Sequence, residues 1–109
     1  MKKVLIIDDE IDFCLLLKAY LTKLRYEVFY SNSLADGVEQ ARKINPAIIF
    51  LDNNLPDGLG WGETENILVN YPDTKLNLIS AYHVPKTSSS SFRILEKPLQ
   101  LEELNKLFQ

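Results

Sequence analysis

The run Ala47-Ile48-Ile49-Phe50-Leu51, stopped by Asp52, decides the fold. It is apolar at every position, and a strand without polar alternation predicts burial on both faces, the condition of a central strand in a parallel sheet with helices on either side. Two other runs end in the same way. Lys3-Val4-Leu5-Ile6-Ile7 leads into Asp8-Asp9, and Phe92-Arg93-Ile94-Leu95-Glu96 leads into Lys97-Pro98. In an open parallel sheet the ligand crevice lies beyond the carboxyl ends of the strands, so these distant groups meet in one pocket. Carboxylates within ~4 Å of one another repel by roughly 4 kcal/mol at an effective dielectric near 20, so the cluster calls for a cation. A hard divalent metal is the natural counter-ion.

Between these strands the pattern changes to helical spacing. Phe13, Leu17, Leu21 and Leu24 recur at four- and three-residue steps, which predicts a helix over Ile11 to Leu24. A second strand is expected over Glu27 to Tyr30. Ser33 and Asp36 then form an S-x-x-D cap that opens a helix over Leu34 to Lys43, closed by Asn45-Pro46. Pro56, Gly58 and Gly60 mark Asp52 to Gly60 as a loop, followed by a helix from about Trp61 to Asn70 that buries Trp61, Ile67, Leu68 and Tyr71. A fourth strand over Leu76 to Ser80, a fifth over Phe92 to Leu95 and a last helix over Leu101 to Phe108 complete the rhythm. Alternating strands and helices predict one α/β domain over residues 1–109, a parallel sheet between two helical layers.

Bulk properties narrow the function. With 109 residues, 46% of them apolar, there is material for one core and little room for a second. Twelve basic residues against 15 acidic ones give a net charge of -3 without a Lys/Arg stripe, which argues against direct nucleic-acid binding. No apolar run approaches the ~18 residues of a membrane span, and the five-residue run after Lys2 is too short for a signal-peptide core. A cytoplasmic location is expected. Cys14 sits among Phe13, Leu15, Leu16 and Leu17 and reads as a buried, inert thiol. His83, the only histidine, has no second His or Cys nearby and is not read as a metal ligand.

Asp8-Asp9, Asp52 followed by Leu55-Pro56-Asp57-Gly58, Ser80-Ala81 and Lys97-Pro98, on successive strand ends, together resemble the receiver domain of two-component response regulators. The resemblance covers the whole chain and rests on the joint spacing. It implies a flavodoxin-like, doubly wound five-stranded parallel sheet of order 2-1-3-4-5. It also implies that Asp52 is the phosphoacceptor, taking a phosphoryl group from a sensor histidine kinase or a histidine phosphotransfer protein. Asp9 and Asp52 would bind Mg²⁺ directly, Asp8 mainly through water, and Asn54 through its backbone carbonyl. Lys97 would supply an ammonium to the phosphoryl group, and Ser80 a hydroxyl after transfer. From the third strand to the fifth is about 10 Å, so the positive group must ride on a long side chain. Pro98 disfavours a helical backbone at Lys97 and suits the first turn of the helix beyond.

Two departures from the family pattern concern output. Only eleven residues, Ala81 to Ser91, separate the fourth and fifth strands, and they include Pro85 and four serines, so the fourth helix is expected to be short or absent. Three residues before Lys97, where the family usually has an aromatic, this chain has Ile94. The expected function is therefore a phosphorylated signalling switch and not an enzyme acting on other substrates. Its downstream effector is unidentified, and the resemblance allows a homodimer. The alternative is a docking module on the same scaffold whose output no longer depends on phosphate. A haloacid-dehalogenase-type hydrolase needs a second Asp where Asn54 stands, and flavin binding needs a less acidic first loop. Asp57 and Asp73 read as turn residues, and Trp61 and Tyr71 as packing residues.

Overall fold

Alternate side chains of the central strands divide the core in two. In β1 (Lys3–Ile7) and β3 (Ile48–Asp52), Val4, Ile6, Ile48 and Phe50 face one layer, while Leu5, Ile7, Ile49 and Leu51 face the other. A period of two on a sheet covered on both sides requires apolar residues at every position, as these runs have. The computed structural model describes residues 1–82 and 91–108. Its first layer carries Cys14, Leu17 and Leu21 of α1 (Ile11–Lys23) and Leu104 of α4 (Leu101–Phe108). The second carries Ala41 of α2 (Leu34–Ile44) and Ile67 of α3 (Thr64–Asn70).

Five parallel strands form the sheet in the order β2-β1-β3-β6-β7, where β2 is Glu27–Ser31, β6 is Lys75–Ser80 and β7 is Phe92–Glu96. Numbering only these long strands gives the expected order 2-1-3-4-5. The order reverses between β1 and β3, so their carboxyl ends form the switch point at which doubly wound sheets bind ligands.

Local chemistry sets the helix ends. The Ser33 hydroxyl accepts from Asp36 N at 3.2 Å, as the S-x-x-D pattern predicts. Asn45 closes α2 at φ 48°, its N–H donating to Ala41 O at 2.9 Å. At the end of α1, Tyr26 N donates to Leu21 O and Arg25 N to Thr22 O, a Schellman closure with Arg25 at φ 70° where glycine is usual.

Around Asp52 and Trp61 the structure differs from expectation in three ways. Asp52 belongs to β3 as its last residue, paired in register with Ile79. The expected loop after it contains a two-stranded antiparallel hairpin, β4 (Asn54–Leu55) and β5 (Gly58–Leu59), turned by Pro56-Asp57. Trp61 lies in a 3₁₀ turn, Gly60–Glu63, and the helix proper starts at Thr64, because glycines at 60 and 62 weaken an α-helical start. Helix α4 begins three residues after Pro98, so Pro98 does not occupy its first turn; the Lys97–Pro98 peptide is cis. The expectation of a short or absent fourth helix concerns residues 83–90, which with His83 lie outside the described residues; Ala81, Tyr82 and Ser91 form bends.

Candidate functional site: an acidic pocket at the switch point

Asp8 follows β1 directly, and Asp52 ends the neighbouring strand β3. This adjacency brings them together. One carboxylate oxygen from each of Asp8, Asp9 and Asp52 lies within 4.8 Å of the others. Asp8 is fully buried and Asp52 is 4% exposed, whereas Asp9 is exposed at the mouth. Burial, reinforced by the charge of Asp8, pushes the Asp52 carboxyl up to about 6, against the opposing pull of Lys97. Burial likewise raises Asp8 above the usual carboxylate range, although Lys97 and the Glu10 N–H oppose it. Burial is the larger cause at both acids, and at Asp52 the neighbouring charge of Asp8 adds to it.

Lys97 crosses from the end of β7 to this pocket. Its Nζ lies 2.8 Å from Asp8 Oδ2 and 2.5 Å from Glu10 Oε1, and 4.6 Å from the centre of the Phe13 ring. Asp8 Oδ2 has no partner of hydrogen-bonding geometry, so its contact with Lys97 is an ion pair, while Oδ1 accepts from Glu10 N at 2.8 Å. Burial works against the Lys97 charge, but Asp8 and Glu10 outweigh it and hold the ammonium above its usual range. The donors fit a metal ion. Three carboxylates whose oxygens lie within 4.8 Å of one another, two of them on buried residues, suit a hard dication that takes few carboxylates and keeps several waters.

The loop after Asp52 is fastened to its backbone. Gly60 N donates to Asn53 O at 2.8 Å, and Trp61 N to Asn53 Oδ1 at 3.1 Å. Trp61 Nε1 donates to Leu51 O at 3.2 Å. A Cβ at Gly60 would stand 2.0 Å from Asp52 O, so only glycine admits this approach. Asn54 lies in β4 opposite Leu59, exposed. Ser80 ends β6 opposite Glu96, one residue beyond the partner of Asp52. Its hydroxyl is occupied locally, donating to Tyr82 O at 2.9 Å and accepting from Tyr82 N at 3.0 Å.

Three residues of the region escape sequence reasoning. Glu10 pairs with Lys97, and its only sequence signal is that the acidic run Asp8-Asp9 continues by one residue. Asn32 donates through Nδ2 to Asp8 O at 2.8 Å and fixes the backbone under the pocket. Asp57, expected as a turn former, also accepts from Leu34 N at 2.7 Å and Ala35 N at 2.8 Å, capping α2 from across the chain. Those two N–H groups hold its carboxyl below the usual range. Cys14 is buried as expected, and burial pushes its thiol up to about 12. Trp61 and Tyr71 are half-buried packing residues.

Fold and pocket together define a doubly wound, flavodoxin-like domain whose acidic site lies where the strand order reverses. The family model of the response regulator receiver domain matches residues 4–109, and the chain belongs to that family. Receiver domains are signalling switches of two-component systems. The chain is 31% identical over 81 residues to the chemotaxis protein CheY of Thermotoga maritima, an alignment covering 73% of this chain and 68% of CheY. It is 28% identical over 111 residues to the response regulator protein PilR of Pseudomonas aeruginosa, covering 97% of this chain but only 25% of PilR. Among solved structures, the response regulator TrrA of Thermotoga maritima, in complex with Mg²⁺ and BeF, is 25% identical, with a TM-score of 0.83 over 98% of this chain and 96% of TrrA. TrrA has also been solved in complex with the histidine kinase ThkA.

Proposed function

We propose that this domain is the phosphoacceptor of a two-component system, modified on Asp52 in a Mg²⁺-dependent reaction. The observation that carries the proposal is the convergence of three carboxylate oxygens within 4.8 Å beside the ammonium of Lys97. The donor is the phosphohistidine of a sensor histidine kinase or of a histidine phosphotransfer protein, a reading supported by TrrA, which forms a complex with ThkA. Asp9 and Asp52 would hold the ion directly, Asp8 through water, and Asn54 through its carbonyl. Bound there, Mg²⁺ would neutralise charge shared by the nucleophile and the phosphoryl oxygens.

This chain's residues do the rest. An Asp52 oxygen attacks phosphorus in line, the P–N bond breaks, and the bonding pair returns to the imidazole nitrogen. With its carboxyl at about 6, Asp52 is mostly ionised at neutral pH and able to attack. Lys97 covers a phosphoryl oxygen from its position at Asp8. Ser80 breaks its bonds to Tyr82 to meet the phosphoryl group, and the Ala81-Tyr82 backbone moves with it. With Ile94 at the usual aromatic position, the coupling of that movement to an aromatic is missing or rerouted. Attack of water on the acyl phosphate releases inorganic phosphate and resets the switch. A docking role independent of phosphate would leave the paired acids and lysine without use. Among the described residues no helix is long and apolar enough to cross a membrane, and a cytoplasmic home belongs to the same proposal.

The test is labelling by acetyl phosphate with Mg²⁺, read as the mass of one added phosphoryl group. The wild-type protein gains it, while Asp52→Asn or excess chelator abolishes it. Equal labelling of the wild-type and Asp52→Asn proteins refutes the assignment.

A further inference from the structure

The ammonium that the proposed reaction needs is already engaged. Lys97 Nζ contacts Asp8 Oδ2 at 2.8 Å and Glu10 Oε1 at 2.5 Å, and among the described residues it makes no ion pair with Asp52. Its two partners differ. Asp8 is fully buried and adjoins Asp52, so a lysine on Asp8 already stands at the pocket. Glu10 is 61% exposed and lies on the outer side, at the start of α1. Glu10 also occupies the N-cap position of α1, where a side chain ordinarily accepts a backbone N–H, yet its carboxylate makes no such bond. It reaches 87 residues along the chain to Lys97 instead.

We infer that Glu10 is a positioning residue that parks the Lys97 ammonium away from Asp52 in the unmodified protein and competes with the phosphoryl oxygens for it. The inference rests on the phosphoacceptor reading of Asp52. A phosphoryl group arriving at Asp52 draws Lys97 inward, and the Lys97–Glu10 pair must break for the ammonium to follow. Because Glu10 is largely solvated, its hold is that of an exposed pair, which sets the size of the effect at about two- to fivefold in rate. The same competition acts in reverse. Once the acyl phosphate exists, Glu10 pulls Lys97 off it, and because the ammonium also stabilises phosphoryl charge as water attacks, that pull lengthens its lifetime.

Glu10→Gln removes the charge and leaves only a neutral amide oxygen facing Lys97, whereas Glu10→Asp keeps the charge but draws it back by one methylene from the 2.5 Å contact. The maximal rate of labelling by acetyl phosphate, at saturating donor and Mg²⁺, is compared for the wild-type protein, Glu10→Gln and Glu10→Asp. The expected result is a two- to fivefold rise in both variants, with an unchanged half-saturating Mg²⁺ concentration in Glu10→Asp and a shorter-lived acyl phosphate in both. Acceleration in Glu10→Gln alone would assign the effect to charge at the pocket mouth and overturn the tether. Unchanged or slower labelling in both variants overturns it as well. A wild-type protein that takes no label sinks the phosphoacceptor reading and this inference together, whereas a labelled wild type with unaltered variants sinks only the role of Glu10.

Discussion

Asp52 and Asp57 lie on the same short segment and meet opposite fates. Asp52, on the last row of the sheet, is buried beside Asp8 and held above the ordinary carboxylate range. Asp57, at the tip of the hairpin, accepts two N–H groups from α2 and is held below it. The sheet end takes one carboxylate out of water beside another, and the hairpin tip gives its carboxylate two N–H donors. Frustrated electrostatics mark the place where a ligand is needed, and satisfied hydrogen bonds mark the place where the fold is fastened.

The largest expected effect comes from the joint between the two regions. Gly60→Ala drives a methyl into the Asp52 carbonyl and should destabilise the domain by about 3 kcal/mol, at the upper end for overpacking. Urea unfolding measures it, and labelling should slow in parallel because the acceptor's backbone moves. A cost near zero would show that the loop is not clamped on Asp52.

Next in size is the acceptor itself. In the metal-free protein, Asp52→Asn should raise stability at about pH 7.5 by roughly 1 to 2 kcal/mol, allowing for solvent screening. The sign follows from linkage. A carboxyl raised to about 6 binds its proton more tightly in the folded state, so the metal-free wild type loses stability as pH rises through that value, and the variant loses less. Chemical unfolding in chelator at about pH 5 and about pH 7.5 reads the difference.

Asp57 should show the reverse. Its lowered carboxyl contributes stability that is present above the ordinary aspartate range and is lost as pH falls through its folded value. Asp57→Ala should speed amide exchange at Leu34 and Ala35 and leave the rim unaltered. The smallest expected effect, about 1 kcal/mol, is a gain from Arg25→Gly, which relieves a left-handed backbone far from both regions; a shift in denaturant midpoint with labelling unchanged is the check.

These contrasts also show how far the sequence could be read. The sheet was legible because unbroken apolar runs such as Ile48 to Leu51 leave one place for a strand, and because acids at strand ends meet whenever such strands pair. Asp8, Asp9, Asp52 and Lys97 do converge. Asp57 as a cap for α2 was not legible, since its partners lie 22 and 23 residues away and only the folded hairpin presents it to them. Glu10 was missed for the same reason, its partner being 87 residues distant. The resting state of Ser80 was also hidden, because a hydroxyl free to rotate takes the nearest backbone partner, here Tyr82. Trp61 reads from sequence as the start of a helix, but Gly60 and Gly62 favour a tighter turn there.

The most direct measurement is a Mg²⁺ titration of the unphosphorylated protein followed by amide NMR, with the Asp52 carboxyl titrated at each end. One saturable ion is expected, with shifts centred on Asp8, Asp9, Asp52 and the Trp61 turn, and an Asp52 carboxyl that falls well below about 6 once the ion is bound. No binding, or shifts centred away from the carboxyl ends of β1 and β3 with Asp52 unmoved, would contradict the reading of this pocket as a dication site beside a phosphoacceptor.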